Sequence, residues 1–298
     1  MNDVPTHLIY LGSYIILFSI VCLGLWGWRI KRRGERPPVE FKLLRGPGES
    51  LRRRMARSDE ELIFVIGGAA LAPIVAGLGM LQLLVWLTPR LSLTYGLFVM
   101  AGPTLVVLFF AGRYIMRRFS RYRDDRLGYL GERAVGEAIE PLVSAGYRVF
   151  HDVPAVSGKF VFNVDHVAVG PNGVFAIETK TRRKGRARSG CEIHKVTYDG
   201  RQLIWPWGEE IQALKNAEDR AWWLNDWLNK MAGLNVVAQP VLVLPGWYVV
   251  PQGIGPVVVV NHKQLAGVIS QGGKKVLSVA QIDLIARQLD TLCRDVED

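Results

Sequence analysis

The stretch FVFNVDHVAVGPNGVFAIETKT, Phe160 to Thr181, decides the fold class of the second half of this chain. Phe160–Val169 and Val174–Thr181 are rich in β-branched and aromatic residues, and Gly170-Pro171-Asn172-Gly173 separates them, which is the pattern of a β-hairpin. A two-residue turn pairs Gly170 with Gly173. Counting back along both strands then sets Asp165 opposite Glu178, with cross-strand Cβ atoms about 4.5–5.5 Å apart. A three-residue loop with Gly173 in a bulge fits the same residues and shifts that register by one. Glu178-Thr179-Lys180 closes the second strand, and residues two apart share a face, so carboxylate and ammonium point the same way.

Outward from the hairpin, the segments alternate between helix and strand. Glu132, Val135, Ile139 and Leu142 recur at helical spacing and stop at Ser144-Ala145-Gly146. Tyr147–Val153 reads as a short strand. A glycine-containing basic tract covers Thr181–Gly190, and Ile193–Trp205 reads as a strand pair around Asp199-Gly200. Glu209–Met231 is an amphipathic helix whose Trp222, Trp223 and Trp227 are expected on its buried face. Val236–Leu244 and Val257–Val260 are near-continuous apolar runs, as fully buried strands are. Lys263–Ser270 and Val279–Val296 read as closing helices. The expected class is α/β, with a central mixed sheet flanked by helices over residues 127–298.

The first 126 residues read differently. His7–Trp28 lacks any charged residue and is long enough to cross about 30 Å of hydrocarbon as a helix. Leu62–Leu87 and Leu91–Arg113, parted by Thr88-Pro89-Arg90, read as a helical hairpin. The expectation is three transmembrane helices, at about 7–28, 62–87 and 91–113. Arg29–Glu61 carries 11 Lys and Arg, including Arg52-Arg53-Arg54, and further arginines follow Arg113, against Arg90 alone at the hairpin tip. By the positive-inside rule this predicts a multi-pass protein of the cell membrane, with its N-terminus outside, its C-terminal domain cytoplasmic and a lipid bilayer as partner. Gly46–Arg57 reads either as a basic helix on anionic lipid or as a solvated linker.

The net charge of +10 belongs mainly to that first part. Leu127–Asp298 holds 19 basic and 18 acidic residues, which argues against a strongly basic nucleic-acid-binding face over the whole domain. Three cysteines (Cys22, Cys191, Cys293) show no zinc or disulfide spacing. The apolar runs carry no acid or base of the kind that marks ion pathways, which argues against a transporter or channel.

Two facing carboxylates without a cation repel, and one tends to stay protonated. A hard divalent ion, Mg²⁺ with several waters, relieves that repulsion and polarises a phosphoryl oxygen. Lys180 beside it is suited to orienting or deprotonating an attacking water and to offsetting charge in the transition state. The structural alternative is a surface Glu–Lys pair with an unrelated Asp.

These residues resemble a family. Gly131-Glu132-x-x-Val135 and the run Val164-Asp165-His166 through Gly173-Val174-Phe175 to Glu178-Thr179-Lys180 look like the nuclease-related domain, NERD, of the PD-(D/E)xK nuclease superfamily. The resemblance covers about Gly131–Ser270 and implies a restriction-endonuclease-like fold. It implies Asp165 and Glu178 as ligands of Mg²⁺ or Mn²⁺, Lys180 as catalytic lysine, Glu132 as an accessory acid and Gln212 as a supporting polar group. Glu137 also follows a glycine, but Glu132 has the better spacing. His166 faces away from Asp165 if the strand alternates, and Val164 stands where the superfamily has its proline. Arg182-Arg183-Lys184-Gly185-Arg186-x-Arg188 is either a phosphate-contacting tract or a solvated loop. The implied activity is hydrolysis of phosphodiester bonds in DNA or RNA. The alternative is an inactive nuclease-fold module binding nucleic acid or a protein partner.

Overall fold

In the computed structural model the described residues are 42–58, 93–185, 187–271 and 276–296, with isolated positions before residue 93. The chain divides into two compact units, one of residues 1–40 and 56–123 with Asp298, the other of residues 41–55 and 124–297. The elements are β1 (Lys42–Leu44), α1 (Leu93–Ile139), α2 (Pro141–Ser144), β2 (Arg148–Ser157), β3 (Phe160–Gly170), β4 (Gly173–Thr179), β5 (Lys195–Tyr198), β6 (Leu203–Trp205), β7 (Gly208–Glu210), α3 (Gln212–Ala232), β8 (Ala238–Val243), β9 (Tyr248–Pro251), β10 (Val258–Val260), α4 (His262–Gln271), α5 (Val279–Leu292) and β11 (Arg294–Val296). Residues 49–58 are also helical.

The expected membrane-spanning architecture is overturned. Among the described residues no helix is long and apolar enough to cross a membrane. The runs at 7–28 and 62–87 lie outside the described residues apart from isolated positions. The third run is the start of α1, a 47-residue helix. The multi-pass cell-membrane localisation, the cytoplasmic placement and the bilayer as partner lose their basis with those spans.

The second unit is mixed α/β, with sheets flanked by helices. Its five-stranded sheet has the order β10-β8-β4-β3-β2. β2, β3 and β4 are antiparallel neighbours, while β4–β8 and β8–β10 are parallel. Parallel strands need both faces covered, which explains the near-continuous apolar runs of β8 and β10. One face packs Val167, Val169, Val174 and Ala176 under Leu224 and Leu228 of α3 and Ile285 and Leu289 of α5. The other packs Ala168, Ile177, Val241 and Val243 under Val135 and Ile139 of α1 and Leu265 and Ile269 of α4.

α3 ends at Gly233, whose φ of +62° is the left-handed conformation that stops a helix cheaply only at glycine. α5 begins with a capping box between Ser278 and Gln281. Trp223 is buried, but Trp222 is 67% exposed, so the expected three-tryptophan face is not one face. Adjacent helical residues stand about 100° apart, and only one of the two can meet the sheet.

A separate four-stranded sheet, β7-β6-β5-β9, follows from the strand pair around Asp199-Gly200. Its core of Val196, Leu203, Trp205, Trp247 and Val249 joins the first turns of α3 through Ala213, Leu214 and Ala217. Two additions come from distant pairing. β1 pairs antiparallel with β11, where a continued helix was expected, and Arg45 N donates to Cys293 O at 3.1 Å. Residues 41–55 therefore belong to the second unit and are not a free linker.

Candidate active site

The β3–β4 ladder runs from Gly170↔Gly173 to His166↔Ile177, so the hairpin has the two-residue turn Pro171-Asn172. The next step in that register is Asp165 and Glu178, where regular pairing stops. Instead, the Asp165 Oδ2 accepts a 2.7 Å hydrogen bond from the Thr179 amide. A side chain thereby takes over an amide that the neighbouring strand would otherwise bind. β8 continues beyond this point on the other edge, through Glu178↔Leu242 and Thr179↔Val243, and Lys180 N donates to Val243 O at 2.8 Å. The Glu-x-Lys end of β4 is thus fixed on one side by strand pairing and open on the other to a carboxylate.

β2 breaks at the same level. His151 pairs with His166 and Val153 with Val164, while Asp152 and Asp165 between them are passed over. Asp152 has a φ of +48°, a strained region for a residue with a Cβ. What holds it there is a full set of donors: the Ser50 hydroxyl at 2.6 Å, the Ser50 amide at 3.1 Å, Arg45 Nη1 at 3.0 Å and Asn163 Nδ2 at 2.9 Å. Three successive strands therefore carry an acid at one level, Asp152, Asp165 and Glu178.

α1 brings a fourth. Glu132 is 9% exposed, and its carboxyl is pushed up to about 8, first by burial and then by the charges of Asp152 and Glu178. Arg54 and the Gly48 amide oppose that rise. The preceding Gly131 allows this approach, since a Cβ there would lie 2.0 Å from Thr181 Cγ2. Asp165 is raised well above the usual carboxylate range by burial and by Glu178 and Glu132, with the Thr179 amide opposing. Glu178, 8% exposed, is raised by burial against the pull of Arg220 and Lys180. Lys180 is half-buried at the rim.

Arg220 was not foreseen. Its Nε lies 3.8 Å from Glu178 Oε2, an ion pair too long for a hydrogen bond, and both atoms are buried without a hydrogen-bond partner. Its guanidinium rests over the Phe162 ring at 4.3 Å. The signal was present in sequence as one charge within the apolar stripe Ala213, Ala217, Leu224 and Leu228 of α3. Asp152 carried no such signal, because its partners Arg45 and Ser50 are about a hundred residues away.

Gln212 is not drawn into this group. It is the exposed first residue of α3, and its amide donates to Asn216 Oδ1 at 2.9 Å. Glu137 is exposed and pairs with Arg133. His166 shares a level with Ile177, whose side chain packs beneath α1 and α4, so it faces away from Glu178. Its Nδ1 lies 2.8 Å from His151 Nδ1, and burial holds both imidazoles well below their usual range.

Among the described residues no three His, Cys, Asp or Glu are gathered to hold a metal by themselves. The pair Asp165 and Glu178 nonetheless fits a hard cation that keeps most of its waters, as Mg²⁺ does. Its acids repel one another, and Glu178 Oε2 is an unpartnered buried oxygen. Residues 127–245 match the NERD family, described as Nuclease-related domain. No curated protein and no solved structure matches the chain.

Proposed function

We propose, from the nuclease-related match over residues 127–245 and the acids at the end of β4, that this chain is a divalent-metal-dependent nuclease hydrolysing phosphodiester bonds of DNA or RNA. The observation that carries it is the replacement of ladder pairing at Asp165 and Glu178 by two converging carboxylates, with Lys180 two residues on. Asp165 and Glu178 would hold Mg²⁺ or Mn²⁺. Such an ion polarises a phosphoryl oxygen and offsets charge in an in-line displacement. Lys180, tethered through its amide to Val243, orients the attacking water and stabilises the developing negative charge. Glu132, held protonated up to about pH 8 without a cation, is an accessory acid. Arg220, 3.8 Å away, opposes the effect of burial on Glu178 and positions its carboxylate.

One observation favours a second reading, an inactive module that binds nucleic acid. Arg220 already supplies Glu178 with a cation, and no third protein ligand stands by among the described residues. Cleavage of labelled DNA and RNA by the full chain with Mg²⁺ or Mn²⁺, beside Glu178→Ala, separates the two. Metal-dependent cleavage lost in the variant supports the enzyme. A folded protein that binds these substrates but cuts none of them supports the module.

A further inference from the structure

The four-stranded sheet holds a tryptophan cluster beside the basic tract that leaves Lys180. The Trp205 ring is buried, and Trp207 lies parallel to it, 5.5 Å away and 8° from coplanar. Trp247 meets both edge-on, at 4.9 and 5.4 Å. Trp205 and Trp247 are core. Trp207 is only half-buried, with Trp205 stacked against it. A partly exposed ring held by a stacked neighbour and an edge-on one is a surface that needs little further ordering before a second flat ring meets its exposed part.

The basic tract is fastened to this cluster. Trp247 Nε1 donates to Arg182 O at 3.2 Å, and Arg188 N donates to Pro206 O at 2.8 Å. Arg182 and Arg183 are neutralised by Glu210 and Asp124. Lys184 and Arg188 are exposed, Lys184 with its Nζ 5.8 Å from the Trp247 ring centre and Arg188 with its guanidinium beside Gly208. Arg182 is two residues from Lys180, at most about 7 Å of extended chain. Rings for bases and cations for phosphates thus begin where the candidate active strand ends.

We infer that Trp207, flanked by Lys184 and Arg188, is a stacking subsite for an unpaired base, so that the preferred ligand is single-stranded nucleic acid or a frayed end, not continuous duplex. Bases paired within a duplex hide their faces in the stack, whereas every unpaired base offers one. This rests on the nuclease reading for the scissile phosphate at Asp165, Glu178 and Lys180. It does not rest on that reading for binding itself.

The test measures binding of the full chain in EDTA, where cutting cannot interfere, to labelled single-stranded DNA, single-stranded RNA and the matching duplex. Trp207→Ala is expected to weaken single-strand binding about 5- to 150-fold, the loss of one base–aromatic stack. Trp207→Phe is expected to keep most of it, and Trp222→Ala, exposed on α3, to change nothing. Lys184→Gln with Arg188→Gln should lower the salt slope of log K by about 1.4, at roughly 0.7 per phosphate contact on a single strand. The DNA and RNA arms identify which strand is preferred. Wild-type affinity in both Trp207 variants, or duplex bound more tightly than single strand, overturns the inference. Cleavage assayed in parallel keeps the readings apart: Trp207-dependent binding without cutting sinks only the enzyme, and cutting with Trp207-independent binding sinks only the subsite.

Discussion

At one level of the five-stranded sheet, Asp152, Asp165 and Glu178 stand on successive strands with Glu132 above them. In the four-stranded sheet the corresponding interior is Trp205, Trp247 and aliphatic side chains, and no acid is buried there among the described residues. Both sheets are small, both lean on α3, and both sit in one unit. They differ in what their interiors cost. Burying like charges strains the first sheet, and that strain persists only because Arg45, Ser50, Asn163 and Arg220 compensate part of it. The second sheet is a scaffold on which a half-exposed ring is held still. A region that does chemistry is expected to give up stability for it, and a region that presents a surface is not.

The largest expected effect tests that trade directly. Asp165→Asn keeps the acceptor for the Thr179 amide but removes a repelling charge. Cleavage should fall at least about 100-fold, the scale of losing one preorganised catalytic group. Stability in EDTA should rise by about 0.5–2 kcal/mol, the usual gain on relaxing a strained functional site. Denaturant titration and a cleavage time course on the same preparation read both numbers. A variant that loses activity and stability together would mean Asp165 supports the fold.

Next in size is Asp152. Its replacement by Ala leaves Arg45 without its carboxylate and removes the acceptor for Ser50 and Asn163, a loss of about 3 kcal/mol for a broken buried pair. Asp152→Asn tolerates the positive φ and keeps one acceptor oxygen, so it should cost less. Equal midpoints for the two variants in urea would assign the cost to the charge that both remove and not to the backbone.

Two groups of opposite sign define the window of the pH dependence, and the raised Asp165 and Glu178 add to it with the sign of Glu132. Glu132 holds its proton up to about 8 when folded, against an ordinary 4.5, so its stabilising contribution is complete below 4.5 and is lost as pH rises to 8. His151, held down to about 4 from an ordinary 6.5, contributes fully above 6.5 and loses that contribution as pH falls to 4. Between pH 6.5 and 8 the His151 slope is spent while that of Glu132 remains. Metal-free stability should then drop by on the order of 2 kcal/mol for one linked proton. Glu132→Gln should flatten that fall, and unfolding curves at the two pH values decide it.

The smallest effect belongs to the other sheet. Trp205 Nε1 is buried without a hydrogen-bond partner. Trp205→Phe loses ring area but also an unsatisfied donor, and the net cost should be about 1 kcal/mol or less. A cost several times larger, by thermal unfolding, would mean the ring stack carries the second sheet.

How much of this was legible in the sequence varies by element. The hairpin was, from the turn residues between two β-rich runs, but its register was not: a two-residue turn and a three-residue bulged loop both fitted, and the pairing of Gly170 with Gly173 decided for the former. The buried strands β8 and β10 were, as near-continuous apolar runs. The membrane spans were misjudged because long uncharged runs were read as isolated rods, whereas the described part of the third passes without interruption into an arginine-rich helix that ends in the second unit. β1 and β11 were invisible, since three-residue strands carry no period of their own and exist only because Lys42–Leu44 and Arg294–Val296 meet.

What the sequence determined by itself is local: the hairpin and its strand alternation, and therefore that Asp165, Glu178 and Lys180 lie toward one end of it, while the turn type came from the pairing. The tertiary structure alone decided which distant groups answer those charges. Arg220 reaches Glu178 across a helix-on-sheet packing, and Arg45 and Ser50 reach Asp152 across about a hundred residues of chain. Local periodicity is set by backbone geometry over a few residues, while the partner of a buried charge is set by whichever elements the whole core brings together, and no short window of sequence contains that choice.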